Sequence, residues 1–145
     1  MHPFPVVVGS AAVAVLTAAC TSPELPRGRV VTSSWARSAD SGATGGAYLT
    51  IVNADSIAVE LVGATSPVAT SVEVHESMQH DGMSHMMPRA TVPIGARDSL
   101  VMAPGGLHVM LHQLMRPLAP GDSVPLTLRF SAGDSVRVSV PVRAP

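Results

Sequence analysis

The sequence predicts an all-β domain, an antiparallel β-sandwich or Greek-key barrel, and three observations carry that expectation. Near the C-terminus, Val124, Leu126, Leu128 and Phe130 alternate with Pro125, Thr127 and Arg129, and Val136, Val138, Val140 and Val142 alternate with Arg137, Ser139 and Pro141. A period of two sets each apolar series on one face, so the pair reads as a hairpin turning through Ser131-Ala132-Gly133-Asp134. Second, valine is abundant beside 13 prolines and 12 glycines, and no segment sustains a helical period. Third, the only aromatic rings are Phe4, Trp35, Tyr48 and Phe130, so the core must be built from aliphatic branched side chains.

The first twenty residues are of another kind. Pro5 to Ala19 is apolar, uncharged and too short for a comfortable bilayer span, which reads as an export signal. Leu16-Thr17-Ala18-Ala19-Cys20 resembles a bacterial lipoprotein processing site, which implies that Cys20 becomes the lipidated first residue of a membrane-anchored, periplasmic protein. The n-region Met1-His2-Pro3-Phe4 lacks the usual basic residue, and Thr17 stands where a larger aliphatic side chain is usual. Residues 21–28 then read as a tether by their prolines, and residues 29–145 as the domain.

Along that domain, residues 30–35 form a first strand, with Trp35 expected to plug the core. Residues 47–52 and 58–62 read as a hairpin turning at Asn53-Ala54-Asp55-Ser56. Ser71 to His75 alternates, putting Val72 and Val74 inward and Glu73 and His75 on the other face. Residues 76–90 show no strand pattern and read as a mobile loop. Short strands follow at 91–94 and 99–102, and Ala103-Pro104-Gly105-Gly106 turns the chain into Leu107 to His112.

At 145 residues the chain is long enough for one domain with a real core. Its formal net charge is −1, it contains no lysine, and its arginines are scattered singly, which excludes an electrostatic nucleic-acid partner. With one cysteine, Cys20, no intramolecular disulfide can form. No paired carboxylates or nucleophile elbow stand at catalytic spacing, so the chain does not read as an enzyme.

The chemistry concentrates between His75 and Met110, where histidines and methionines crowd together without a cysteine. Strand alternation places His108, Met110 and His112 on one face and Leu107, Val109 and Leu111 on the other. His75 offers a second imidazole from its own strand, and the following loop offers thioethers from Met78, Met83, Met86 or Met87. Neutral nitrogen and sulfur donors without thiolate suit Cu(I) better than Zn(II). His80, His85 and His112 read as solvent-facing, and Met102 and Met115 as packing residues.

Ten residues separate His75 from Met86, twenty-one separate Met86 from His108, and one separates His108 from Met110. With Gly46-Ala47-Tyr48-Leu49-Thr50-Ile51, Val74-His75-Glu76 and Pro104-Gly105-Gly106-Leu107-His108-Val109-Met110-Leu111 around it, that spacing resembles the signature of the PCuAC family of periplasmic copper chaperones. The resemblance implies a cupredoxin-like sandwich that binds one Cu(I) through His75, Met86, His108 and Met110. It also implies delivery to a copper-accepting protein, a cytochrome oxidase subunit or another chaperone, in assembly of the oxidase's dinuclear copper site. Many members carry a His- and Met-rich C-terminal tail; here the surplus donors Met78, His80, Met83, His85 and Met87 follow His75 instead, as an auxiliary site for Cu(I) or Cu(II).

Two other readings compete. A structural, copper-storage or copper-resistance sandwich would use the same residues differently or not at all. An electron-transfer cupredoxin needs a thiolate ligand, and Cys20 lies at the export signal, outside the domain.

Overall fold

The computed structural model describes residues 27–145, which hold ten strands and no helix. The export signal, Cys20 and most of the tether lie outside the described residues. The strands are β1 (Arg29–Arg37), β2 (Gly45–Asn53), β3 (Val59–Thr65), β4 (Ala69–His80), β5 (Met83–Pro88), β6 (Val92–Ile94), β7 (Ser99–Val101), β8 (Leu107–Leu114), β9 (Ser123–Phe130) and β10 (Ser135–Arg143).

They form the expected sandwich. One layer runs β5-β4-β8-β2-β1, with β7 also paired to β2, and the other runs β10-β9-β3-β6. The layers join where β1 lies parallel to β10 at Ala36↔Val142 and Arg37↔Arg143; every other strand pairing is antiparallel. Between the layers, Ala47, Leu49 and Ile51 of β2 and Val109 and Leu111 of β8 meet Leu61 of β3 and Val124, Leu126 and Leu128 of β9. Burying each larger aliphatic side chain contributes about 1.5–3 kcal/mol. With one aromatic ring, Phe130, in this cluster, that aliphatic surface holds the sandwich together.

The β9–β10 hairpin follows its alternation, with Val124, Leu126, Leu128, Phe130, Val140 and Val142 buried and Val136 and Val138 packed against them from the rim. Three other expectations are corrected. Trp35 is not in the core. The β1–β2 register slips between Val31 and Ser33, and this bulge reverses which residues face inward. Val31 opposes core residue Ile51 before it, whereas Ala36 opposes core residue Ala47 after it, so Trp35 turns to the outer face against Tyr48.

Nor do β2 and β3 form a hairpin: β2 pairs with β1, β7 and β8, and β3 with β6 and β9. Residues 54–58 instead carry the chain from one layer to the other, fastened by Asn53, which is fully buried. Its Nδ2 donates to Ile57 O at 2.8 Å and Gly95 O at 3.0 Å, and its Oδ1 accepts from Asp55 N at 3.2 Å. Met115 is the third correction: it is exposed, because it follows the last residue of β8, while Met102 is buried as expected.

Replacing Asn53 with Ala removes the partners of Ile57 O and Asp55 N, leaves Gly95 O only its bond from Asp98 N, and should cost about 2–4 kcal/mol. Urea denaturation of the variant checks the value.

Candidate metal centre

β4 and β8 pair with His75 opposite His108, Glu73 opposite Met110 and Ser71 opposite His112. Residues directly opposite in an antiparallel pair share a face. The intervening Val109 and Leu111 are fully buried, and Val74 nearly so, which commits the other set to the outer face. Core packing therefore positions Glu73, His75, His108, Met110 and His112 together. Gly46 of β2 opposes Met110 on its far side and adds no side chain there.

Hydrogen bonding selects which ring nitrogens are free. His108 is buried, and its Nδ1 lies 2.9 Å from Gly106 O, an acceptor only, so Nδ1 carries the proton and Nε2 the lone pair. His75 Nε2 donates to Glu73 Oε2 at 2.8 Å, leaving Nδ1 as the lone-pair nitrogen; that atom is buried without a hydrogen-bond partner. Each imidazole thus keeps one nitrogen for a metal while a neighbouring oxygen orients the ring. The ring centroids are 6.2 Å apart.

Aromatic rings shield the His108 side. Tyr48 stands 6.3 Å from His108 and 4.5 Å from Trp35, ring centre to ring centre, and Arg37 and Arg143 cap these two rings. Both aromatics reach this face because of the β1 bulge and the alternation of β2.

Residues 76–90 correct the loop expectation. β4 continues to His80, turns through Asp81 (φ 50°) and Gly82 (φ 76°), and returns as β5. Positive φ at both central residues makes the two-residue hairpin turn for which Asp-Gly is a strong sequence signal. The pairing runs His75↔Pro88, Glu76↔Met87, Ser77↔Met86, Met78↔His85, Gln79↔Ser84 and His80↔Met83. β8 reaches only to Glu76, so the end of this ribbon stands beyond the sheet.

That register divides the predicted ligands. Met86 shares the His75 face, two residues along the ribbon from the His75–Pro88 pair, and is 59% exposed. Met78, His80, Met83, His85 and Met87 all lie on the reverse face and are exposed, so they do not join the His75 set. The sheet brings His75, His108 and Met110 together directly. Met86 and Met110 lie on opposite diagonals from His75, so placing both sulfurs on one ion requires the ribbon to curl over the sheet.

Sequence reasoning missed two members of the cluster, Glu73 and His112. Donor atoms of Glu73, His75 and His112 all lie within 4.8 Å of one another, and the His75 and His112 ring centroids are 5.9 Å apart. His112 is half-buried rather than solvent-facing. The period of His108, Met110 and His112 already put it on this face; what it lacked was the knowledge that Glu73 stands beside it. The His75 hydrogen bond, helped by the His112 ring, holds the Glu73 carboxyl below its ordinary range despite partial desolvation.

With this geometry in hand, comparison with known proteins gives a consistent result. The family model described as "Putative lipoprotein LpqE-like" matches residues 30–142. The chain belongs to the LpqE-like family. A relative from Leifsonia xyli subsp. xyli, "Putative lipoprotein Lxx21020", is 39% identical over 114 residues, covering 78% of this chain and 68% of the relative. Among solved structures, the copper-bound PCuAC domain from PmoF2 superposes with a TM-score of 0.67 at 24% identity, over 81% of this chain and 93% of that one. Apo-DR1885 from Deinococcus radiodurans is 30% identical over 99% of this chain and 96% of its own, with a TM-score of 0.57. Its Cu(I) form is 33% identical over 78% of each chain, with a TM-score of 0.55. The LpqE-like chain is thus PCuAC-related, with the cupredoxin-like sandwich that the resemblance implied.

The Glu73 carboxyl should titrate below the ordinary carboxylate range, and His75→Ala should return it toward that range, as read by carboxyl-carbon NMR. The sign for stability follows. A lowered folded value contributes stability that is complete above the unfolded carboxylate pKa of about 4.3 and is lost as pH falls through the folded value.

Proposed function

We propose that this protein is an exported, lipid-anchored copper chaperone. It holds Cu(I) with His75, Met86, His108 and Met110 and releases it to an acceptor by ligand exchange. The observation that carries this reading is the direct opposition of His75 and His108, each oriented by an oxygen that leaves one nitrogen free, with Met110 and Met86 on the same face. Imidazole and thioether donors add no negative charge to the site and favour a soft monovalent ion. They also bind less tenaciously than thiolates, which suits a cargo that must leave.

Met86 is the exchange point. It stands on the ribbon, exposed, while the other three donors are fixed by the β4–β8 pairing, so an approaching acceptor displaces this thioether first. An acceptor in cytochrome oxidase assembly, or a second chaperone, fits a donor with an open face. Anchoring through Cys20 agrees with the lipoprotein description of the family and of its Leifsonia relative. An electron-transfer role is disfavoured because residues 27–145 contain no cysteine to supply a thiolate.

A second capture surface accompanies the first reading, and its basis is the ribbon register. Met78 opposes His85 and His80 opposes Met83, with Met87 next in line, so five soft or borderline donors share one face away from the His75 set. These residues gather further copper ahead of the main site.

Exchanging Met86 and Met110 together for Leu should weaken Cu(I) binding by about 100-fold or more, measured anaerobically by competition with a chromophoric chelator. Unchanged affinity would sink the proposed ligand set. Metal analysis after anaerobic Cu(I) loading should give more than one copper per chain, and Met78→Leu with Met83→Leu should lower that number toward one.

A further inference from the structure

We propose that Glu73, His75 and His112 form a second metal site, one for divalent copper, which shares the His75 ring with the Cu(I) site. The donor set differs from the thioether set in kind. It offers two borderline nitrogens and one hard, charged oxygen, the ligands that suit Cu(II), and the carboxylate offsets part of the ion's extra charge.

The site is close to formed. Metal–ligand distances of about 2.0–2.2 Å put neighbouring donors about 3–3.5 Å apart. Glu73 Oε2 lies 2.8 Å from His75 Nε2 and 3.3 Å from His112 Nε2. Small side-chain rotations therefore suffice to close the three donors on an ion. The backbone is held by the β4–β8 ladder on both sides of the cluster.

A second, independent observation points the same way. His112 Nε2 is a buried atom that completes no hydrogen bond. His112 Nε2 stands 3.3 Å from Glu73 Oε2, within ion-pair reach but outside good hydrogen-bond geometry, so the carboxylate and the ring face each other with room for an ion to bridge them.

Sharing His75 makes the two sites exclusive. A neutral imidazole has one lone pair. With Cu(I) on Nδ1, the Nε2 proton stays on the Glu73 hydrogen bond; with Cu(II) on Nε2, the proton moves through solvent to Nδ1 and Glu73 becomes a ligand. One histidine thus presents opposite nitrogens to ions of different charge. The inference rests on the ligand role given to His75 above, but not on Met86 or Met110.

The test titrates the purified protein with Cu(II), followed by electron paramagnetic resonance, and separately with Cu(I) under anaerobic competition. The expected result is one Cu(II) per chain with coupling to two nitrogens. His112→Ala and His112→Phe, the latter keeping ring volume without a donor, should each remove one nitrogen coupling and weaken Cu(II) by about tenfold or more. Both should leave Cu(I) affinity within about twofold, while Met86→Leu with Met110→Leu leaves Cu(II) within about twofold. Preloading with Cu(I) should block Cu(II). An unchanged Cu(II) spectrum and affinity in both His112 variants overturns the proposal, as does simultaneous full binding of both ions. A His112 variant that weakens Cu(I) as much as Cu(II) also overturns it, by making His112 a ligand of a single copper position. If the thioether site itself fails, Met86→Leu with Met110→Leu leaves Cu(I) affinity unchanged, while the Cu(II) measurements keep their meaning.

Discussion

The pairing of β4 with β8 is the constraint on which the rest depends. Val74, Val109 and Leu111 point into the core, and because side chains alternate, their burial forces Glu73, His75, His108, Met110 and His112 outward. A slip of one residue would send charged and polar side chains into the core and lose two fully buried aliphatic contacts. The metal face is therefore specified by the hydrophobic core behind it. His108 takes part in packing on that face, buried beside the Tyr48 ring, while Glu73 and Met86 stand exposed.

Much of this was legible in the sequence. The alternation of Val124 to Phe130 and of Leu107 to His112 reports inward and outward faces directly, because the period of a strand is fixed by backbone geometry. What failed was information carried by single residues or by other strands. The sequence points Trp35 inward because nothing in residues 30–35 announces that the bulge after Val31 reverses the faces. Asn53 suits a hairpin turn by its polarity; its three side-chain hydrogen bonds bury it only once Gly95 arrives from elsewhere in the chain.

The β5 ribbon is the instructive miss. His, Met, Gln and Ser lack the hydrophobic contrast that marks a half-buried strand, and residues 83–88 are exposed throughout. The ribbon is held by its ladder to β4 and by the Asp81-Gly82 turn, and at its base Arg89 N donates to Val74 O at 2.8 Å while the Arg89 side chain pairs with Glu76. Asp-Gly between polar segments was the available signal. Reading it would have placed Met86 on the His75 face and the five surplus donors on the other, a separation that a loop does not impose.

The position of Glu73 joins these levels. A carboxylate opposite Met110 and beside His75 sets the imidazole's orientation, and the same oxygen lies near His112. In a site made only of thioethers and imidazoles, nothing would distinguish one His75 nitrogen from the other. The Glu73 hydrogen bond does so: it leaves Nδ1 as the lone-pair nitrogen and keeps Nε2 facing an acidic, nitrogen-bearing neighbour. A soft ion gains nothing from that neighbour, and a divalent ion gains charge compensation from it. Under the two-site proposal, the oxidation state of a bound copper would act through which His75 nitrogen it takes, and so would select the ligands on either side of one ring.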